Sequence, residues 1–320
     1  MKIEGVVVSC YKLDTPLTRL CVASIRFWHP QIPIWLLKDR HYGDFNTREI
    51  EKHWDVRVYP ERQKNLGWGF GKLEVMTELP ARRLLLLDSD VVFAGRVVDR
   101  LEMFDENLIV NQEDFDAAGV EEQFFALDRL RQLDPKFDFP GYGFNTGQIV
   151  VTTGRIAKQD FDGLLDWQTR TVVHPEVFRK GEQGLLNYAV LSKVHQGKLS
   201  IRREPFMVWP GTAARTEHIQ VRDFTPEGRH QQLIHWAGLR WGRTLEEMPR
   251  PEILLHFEEV YYRRVPLGAW LRQWRRMQFR MYRGLIAPLK AVAKNVLSKW
   301  MPSRPGNHGQ EVRDRALLLR

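Results

Sequence analysis

Over roughly the first 245 residues, short apolar runs alternate with segments whose apolar positions recur at helical spacing, as in a parallel or mixed sheet covered by helices. Strands are predicted near 3–9 (IEGVVVS), 33–39 (PIWLLKD), 55–59 (DVRVY), 83–93 (RLLLLDSDVVF), 108–112 (LIVNQ), 147–152 (GQIVVT) and 231–238 (QQLIHWAG). Helices are predicted over TPLTRLCVASIRFW, with Thr15 or Thr18 as its cap, over GKLEVMTEL, and over EQGLLNYAVLSKVH. The class is α/β, and no internal repeat interrupts it.

The run Arg83-Leu84-Leu85-Leu86-Leu87-Asp88-Ser89-Asp90 carries the most chemistry. Four consecutive leucines suit a strand buried on both faces. Ligands of open α/β sheets bind beyond the carboxyl ends of the strands, where Asp88 and Asp90 stand. In an extended backbone, residues two apart point to one side, so the two carboxylates can converge on one hard cation, magnesium or manganese. The spacing alone fits turn or cap residues closing a buried strand equally well.

Three polar elements follow: Gly141-Tyr142-Gly143-Phe144-Asn145-Thr146-Gly147 before a strand, Glu182-Gln183-Gly184-Leu185-Leu186-Asn187 opening a helix, and His235-Trp236-Ala237-Gly238 ending a strand. Taken singly, each has an ordinary reading, as a tight turn, a helix start and a core histidine. Their joint order after the acidic pair points to a site.

This order resembles glycosyltransferase family 8 and its relatives, the GT-A group that includes bacterial lipopolysaccharide galactosyltransferases and glycogenin, over roughly residues 1–245. The resemblance implies a GT-A Rossmann-like mixed sheet with helices on both faces, a UDP-sugar donor, and transfer of a hexose with retention to a glycan or lipid-linked acceptor. It makes Asp88, Asp90 and His235 the ligands of manganese (or magnesium), with Ser89 and Gly238 at the donor. Lys72 takes the place of a basic donor contact, Asn145, Thr146 and Gly147 match the family's turn, and Gln183 aligns with the residue beside the anomeric carbon. Ser9 and Tyr11 lie opposite the residues that touch the nucleobase. The sequence departs from the family at the closing motif, which is one residue short and lacks proline, so that Arg240 replaces the lysine that holds the diphosphate. It departs again at Gly184, where a second acid near the sugar is missing. By position alone, residues 114–139 are expected on the acceptor side.

Charge divides the chain. From residue 261 onward fourteen Lys and Arg face only Glu311 and Asp314, a net of +12, so the total of +8 leaves −4 for the first 260 residues. At ~100° per residue, Trp270, Leu271, Trp274, Met277, Met281, Tyr282 and Leu285 share one face of a helix, while Arg272, Arg275, Arg276, Arg280 and Arg283 share the other. A cationic amphipathic helix with tryptophan on its apolar face suits an anionic membrane interface. The alternative packs the stripe on the protein and leaves the arginines to solvent. Nucleic acid is not expected as a partner, since no recognition motif accompanies the basic residues.

The expected organisation is a nucleotide-sugar transferase domain over 1–245, a connecting helix over 246–265, basic amphipathic membrane-associating helices over 266–300 and a flexible tail over 301–320. With two cysteines, Cys10 and Cys21, in no redox or metal spacing, and with no run of roughly 18 apolar residues, the expected location is the cytoplasm, peripherally on the inner face of the membrane. Two rivals remain. A sugar-phosphate nucleotidyltransferase would need a glycine-rich first loop, which VVVSCYKLDTPLTRL lacks. A non-catalytic membrane- or nucleic-acid-binding protein with a degenerate transferase domain would be indifferent to loss of Asp90.

Overall fold

The computed structural model describes residues 1–286 apart from 41–42, 61–68, 170, 212–215, 226 and 240–242. Two compact units divide the chain, 1–235 and 236–320.

The first unit is built on a seven-stranded sheet of order β10-β6-β7-β4-β1-β2-β3. Its strands are β1 (Gly5–Tyr11), β2 (Ile34–Asp39), β3 (Arg57–Val58), β4 (Arg83–Asp88), β6 (Leu108–Asn111), β7 (Gln148–Thr152) and β10 (Ile201–Glu204). Pairings are parallel except for β7, which runs antiparallel to β4 and β6. The leucines of β4 are fully buried, as a central strand covered on both faces requires. Chain order runs outward from β1 through β2 to β3, then returns to β4 on the other side of β1. That reversal opens a crevice between the carboxyl ends of β1 and β4.

Helix α1 (Thr15–Trp28) has the bounds its periodicity predicts. Neither threonine caps it: Thr15 and Thr18 donate their hydroxyls to the carbonyls of Lys12 and Asp14, at 2.7 and 3.0 Å. The other helices of this unit, among the described residues, are α2 (Arg48–Trp54), α3 (Phe70–Met76), α4 (Val97–Leu101), α5 (Ala117–Gln123), α6 (Leu127–Leu133) and α7 (Glu182–His195).

The strand predicted over 83–93 is two strands. After Asp88 the chain turns at Ser89 and Asp90, and β5 (Val91–Phe93) joins a separate three-stranded sheet of order β11-β12-β5, with β11 (Met207–Val208) and β12 (Leu233–His235). The turn gives Val91, Val92 and Phe93 new partners, His235, Ile234 and Leu233, and buries all of them. Helix α1 holds the diverging strand: Ser24 Oγ accepts from the Phe93 amide at 3.0 Å, and Trp28 Nε1 donates to the Phe93 carbonyl at 3.0 Å. A two-stranded ribbon, β8 (Leu165–Asp166) with β9 (Thr171–Val172), completes the strands among the described residues.

The aromatics of the 114–139 segment go largely to the core. Phe124, Phe125 and Phe137 are buried, with Phe125 edge-on to Phe137 at 5.8 Å. Burial of their area outweighs any surface role there.

In the second unit, α8 (Pro251–Arg263) and α9 (Gly268–Met281) form a helical pair. Gly268 permits the tight joint, since a Cβ there would lie 1.8 Å from the Tyr262 carbonyl oxygen. The charge pattern of α9 departs from expectation. Arg272 Nε meets the buried Glu258 at 2.8 Å, Arg276 bonds Glu258 and reaches Glu246 at 3.1 Å, and Arg283 pairs with Glu247. Arg275 donates to the Tyr262 hydroxyl at 2.9 Å. The arginine face is thus paired in part inside the unit, with Arg280 67% exposed, and Trp270, Trp274, Met277 and Met281 are 41 to 61% exposed. Carboxylates that sequence periodicity cannot pair with α9 meet Arg272, Arg276 and Arg283. Among the described residues, no helix is long and apolar enough to cross a membrane.

Candidate functional site

A cleft of about 230 Å³ opens at the carboxyl ends of β1, β2 and β4. Strand β1 contributes Ser9, Cys10 and Tyr11, and the residues just after it contribute Asp14; Asp39 ends β2, and Asp88 to Asp90 follow β4. Gly69 and Lys72 at the start of α3, with Glu182 at the start of α7, close the other wall. Among the described residues the lining holds five carboxylates, Asp14, Asp39, Asp88, Asp90 and Glu182, against one cation, Lys72. An anionic ligand entering such a lining needs an added positive charge.

Register supplies the place for that charge. Antiparallel pairing sets His235 opposite Val91, the neighbour of Asp90. One ligand atom each from Asp88, Asp90 and His235 lies within 4.8 Å of the others. His235 Nε2 approaches Asp90 Oδ1 to 3.1 Å, yet among the described residues neither ring nitrogen makes a well-aligned hydrogen bond, although the ring is buried. Buried polar atoms are normally satisfied. An orphaned imidazole nitrogen facing two carboxylates is what a divalent ion such as manganese would complete, so the residues present fit the metal.

Electrostatics run the same way in the metal-free chain. Burial pushes the Asp90 carboxyl up, but the His235 ring, with help from Lys72, more than offsets it and holds the group below its ordinary value. Burial pulls His235 down, and Asp90 and Asp88 outweigh it. Lys72 is raised despite burial because Asp88, Glu182 and Asp90 face it. Its Nζ stands 2.5 Å from Asp88 Oδ1 and donates to the Thr146 carbonyl at 3.0 Å.

The Asn145 turn is packed directly against this group. Asn145 Oδ1 accepts from the Gly147 amide at 2.7 Å, an Asx turn, and the Gly147 carbonyl accepts from the Asp88 amide at 2.7 Å. A Cβ at Gly147 would lie 2.3 Å from His235 Cε1 and 2.9 Å from Asp88 Oδ2. Only glycine allows that approach.

Gln183 is placed differently from its neighbour. Its Oε1 accepts from Asn145 Nδ2 and the Thr146 amide, both at 3.3 Å, and its Nε2 donates to the Gln123 carbonyl at 3.1 Å. The amide is engaged by protein on both sides and is not among the groups lining the cleft, whereas Glu182 is. Glu182 Oε1 accepts from Thr146 Oγ1 at 3.0 Å, and burial, aided by Asp88 against the pull of Lys72, raises its carboxyl to about 7. From its ordinary 4.5 up to that value the folded chain keeps a proton that the unfolded chain has released, so stability falls as pH rises through the window. Urea unfolding of the metal-free chain near pH 5 and near pH 8 should show this fall, to which the raised His235 also contributes above its ordinary 6.5, and Glu182→Gln should lessen it. An unchanged slope in the variant would remove Glu182 as a source of it.

Ser9, Tyr11, Lys72, Asp88, Ser89 and Asp90 thus line one cleft, and His235, Asn145, Thr146, Gly147 and Gln183 adjoin it through the contacts above. Gly238, with φ +68, belongs to the second unit, and Arg240 lies outside the described residues. Asp14 and Asp39 were missed by motif reading. For Asp39 a signal existed, an acid ending a predicted strand beside β1; for Asp14 none did.

No protein-family model and no curated protein matches the sequence. Solved structures do. The apo structure of WbbM, a bifunctional glycosyltransferase, is similar at a TM-score of 0.54 with 14% identity, over 85% of this chain and 51% of that one. The apo form of the glycosyltransferase GlyE of Streptococcus pneumoniae is similar at 0.51 with 15% identity, over 87% and 64%. The chain thus spans about half to two thirds of the length of these structures. Their likeness, on a mixed sheet whose reversal frames an acidic cleft, shows that the chain has a GT-A-like glycosyltransferase fold.

Proposed function

We propose that the protein is a metal-dependent glycosyltransferase related to family 8, which moves a hexose from a UDP-sugar to a glycan or lipid-linked acceptor with retention, in synthesis of lipooligosaccharide or a similar cell-surface glycan. The observation that carries this reading is the convergence of Asp88, Asp90 and a His235 ring nitrogen at the head of an acidic cleft lined also by Lys72. The resemblance of its motifs to family 8 is the basis for the donor and for retention.

Under this reading Asp88, Asp90 and His235 hold manganese or magnesium. The ion, when bound, supplies Lewis-acid stabilisation of the departing diphosphate. Lys72, held charged among carboxylates, adds to the same field from a fixed position. Ser9 and Tyr11 face the nucleobase, and the Asn145-Thr146-Gly147 turn with Gln183 borders the sugar. Gln183 acts by orientation, because its amide is a poor nucleophile and is tied to Asn145 and Gln123. No pair of carboxylates is assigned the roles of a retaining glycosidase. Catalysis then rests on positioning and electrostatics.

Calorimetric titration with UDP tests the reading. Binding should require manganese; a folded chain that binds no UDP with either ion present would sink the donor site.

We also propose peripheral attachment to the inner face of a membrane through the second unit. With Arg272, Arg276 and Arg283 held by Glu258, Glu246 and Glu247, α9 offers Trp270, Trp274, Met277 and Met281 as an exposed apolar stripe. Sedimentation with phospholipid vesicles should therefore persist near ~1 M salt, where screening is nearly complete, and should drop on joint replacement of Trp270 and Trp274 by alanine. Binding abolished by salt, or untouched by the double replacement, would refute attachment through the stripe.

A further inference from the structure

A metal-ligating histidine is ordinarily fixed by a hydrogen bond from its far ring nitrogen, which sets tautomer and ring plane. His235 has no such bond, since among the described residues Nδ1 is without a partner. Its backbone ends β12, yet rotation about its side-chain bonds would still carry Nε2 away from Asp90. Something other than a hydrogen bond must set the plane.

Trp209 occupies that position. Its indole stacks on the imidazole with ring centroids 5.0 Å apart and planes 24° from parallel. The pairing of β11 with β12, Met207 opposite Leu233 and Val208 opposite Ile234, brings Trp209 next to His235 as the following residue on each strand. Pro210 comes next and disfavours the helical region for the residue before it, so the indole is delivered from an extended backbone. Trp209 is half-buried and belongs to none of the motifs that carry the family resemblance.

We infer that Trp209 is a positioning residue for the metal site, holding the His235 ring in the plane that aims Nε2 at Asp88 and Asp90 in place of the usual hydrogen bond. This rests on the metal reading above. The stack also favours the loaded state, because an imidazole bound to a divalent cation is electron-poor and is drawn to an indole face. An aromatic replacement should keep the effect, and an aliphatic one of similar bulk should lose it.

The test measures free manganese by electron paramagnetic resonance as the ion is titrated into the full chain, without nucleotide, for the native protein and for Trp209→Phe, Trp209→Leu and Trp209→Met. The aliphatic variants should bind manganese about tenfold more weakly, and Trp209→Phe should stay within about threefold of native. Thermal unfolding of each metal-free variant separates this from loss of fold, and two aliphatic variants keep the comparison open if one does not fold. A purely structural role would lower the metal-free melting temperature without separating phenylalanine from the aliphatics in affinity. Aliphatic variants that are folded and bind manganese as native does would overturn the role of Trp209 and leave the metal site standing. A native chain that binds no manganese would overturn both.

Discussion

Replacing Asp90 with alanine should abolish manganese-dependent binding of UDP, weakening it by a factor on the order of a hundred or more, since loss of a ligand exceeds the loss of a supporting contact. Asp90 is held ionised against its burial by His235 and Lys72, and its Oδ1 stands 3.1 Å from His235 Nε2. Removing it leaves Asp88 and His235 as two ligands on different sheets, too few to hold a hard cation against water. The variant also relieves the cleft of one of five carboxylates, so nucleotide binding without metal should be no weaker than in the native chain. Calorimetry with and without manganese reads both effects, and thermal unfolding checks the fold. Equal manganese dependence in variant and native chains would mean that the acid closes a turn and nothing more, as the degenerate-domain alternative requires.

Gly147→Ala should be nearly as damaging to donor binding for a different reason. The new Cβ is fixed by the backbone, 2.3 Å from His235 Cε1, 2.8 Å from Asn145 Oδ1 and 2.9 Å from Asp88 Oδ2. The turn cannot retreat freely, because the Gly147 carbonyl is bonded to the Asp88 amide. Relief must come from displacement of His235, Asp88 or both. Overpacking of this kind costs about 1 to 3 kcal/mol of stability, measurable by urea unfolding, while the manganese requirement for UDP should disappear. Gly211→Ala, where a Cβ would meet nothing within 4 Å, is the matched control. Donor binding that survives Gly147→Ala unaltered would show that His235 and Asp88 need not hold their places.

The exposed stripe and the paired arginines of α9 show how far a helical projection reaches. It sorted Trp270, Trp274, Met277 and Met281 from Arg272 and Arg276 correctly, as two faces of one helix. It had no means of saying what each face meets. The glutamates that neutralise the arginines come from α8 and the turn before it, and nothing in the spacing within α9 refers to them.

The same division holds for the site. By itself the chain determined its local elements: α1 and α7 have the predicted bounds, and the buried leucines of β4 end at Asp88 as expected. Periodicity and burial are written in neighbouring residues, so these features are legible from short stretches. The tertiary structure alone decided that the strand breaks at Ser89 and Asp90, that β5 leaves for a second sheet, and that its register places His235 beside Asp90 and Trp209 beside His235. An apolar strand such as Val91–Phe93 fits several neighbours equally well by pattern. Which one it takes follows from how the whole core packs, a global minimum that no local spacing encodes.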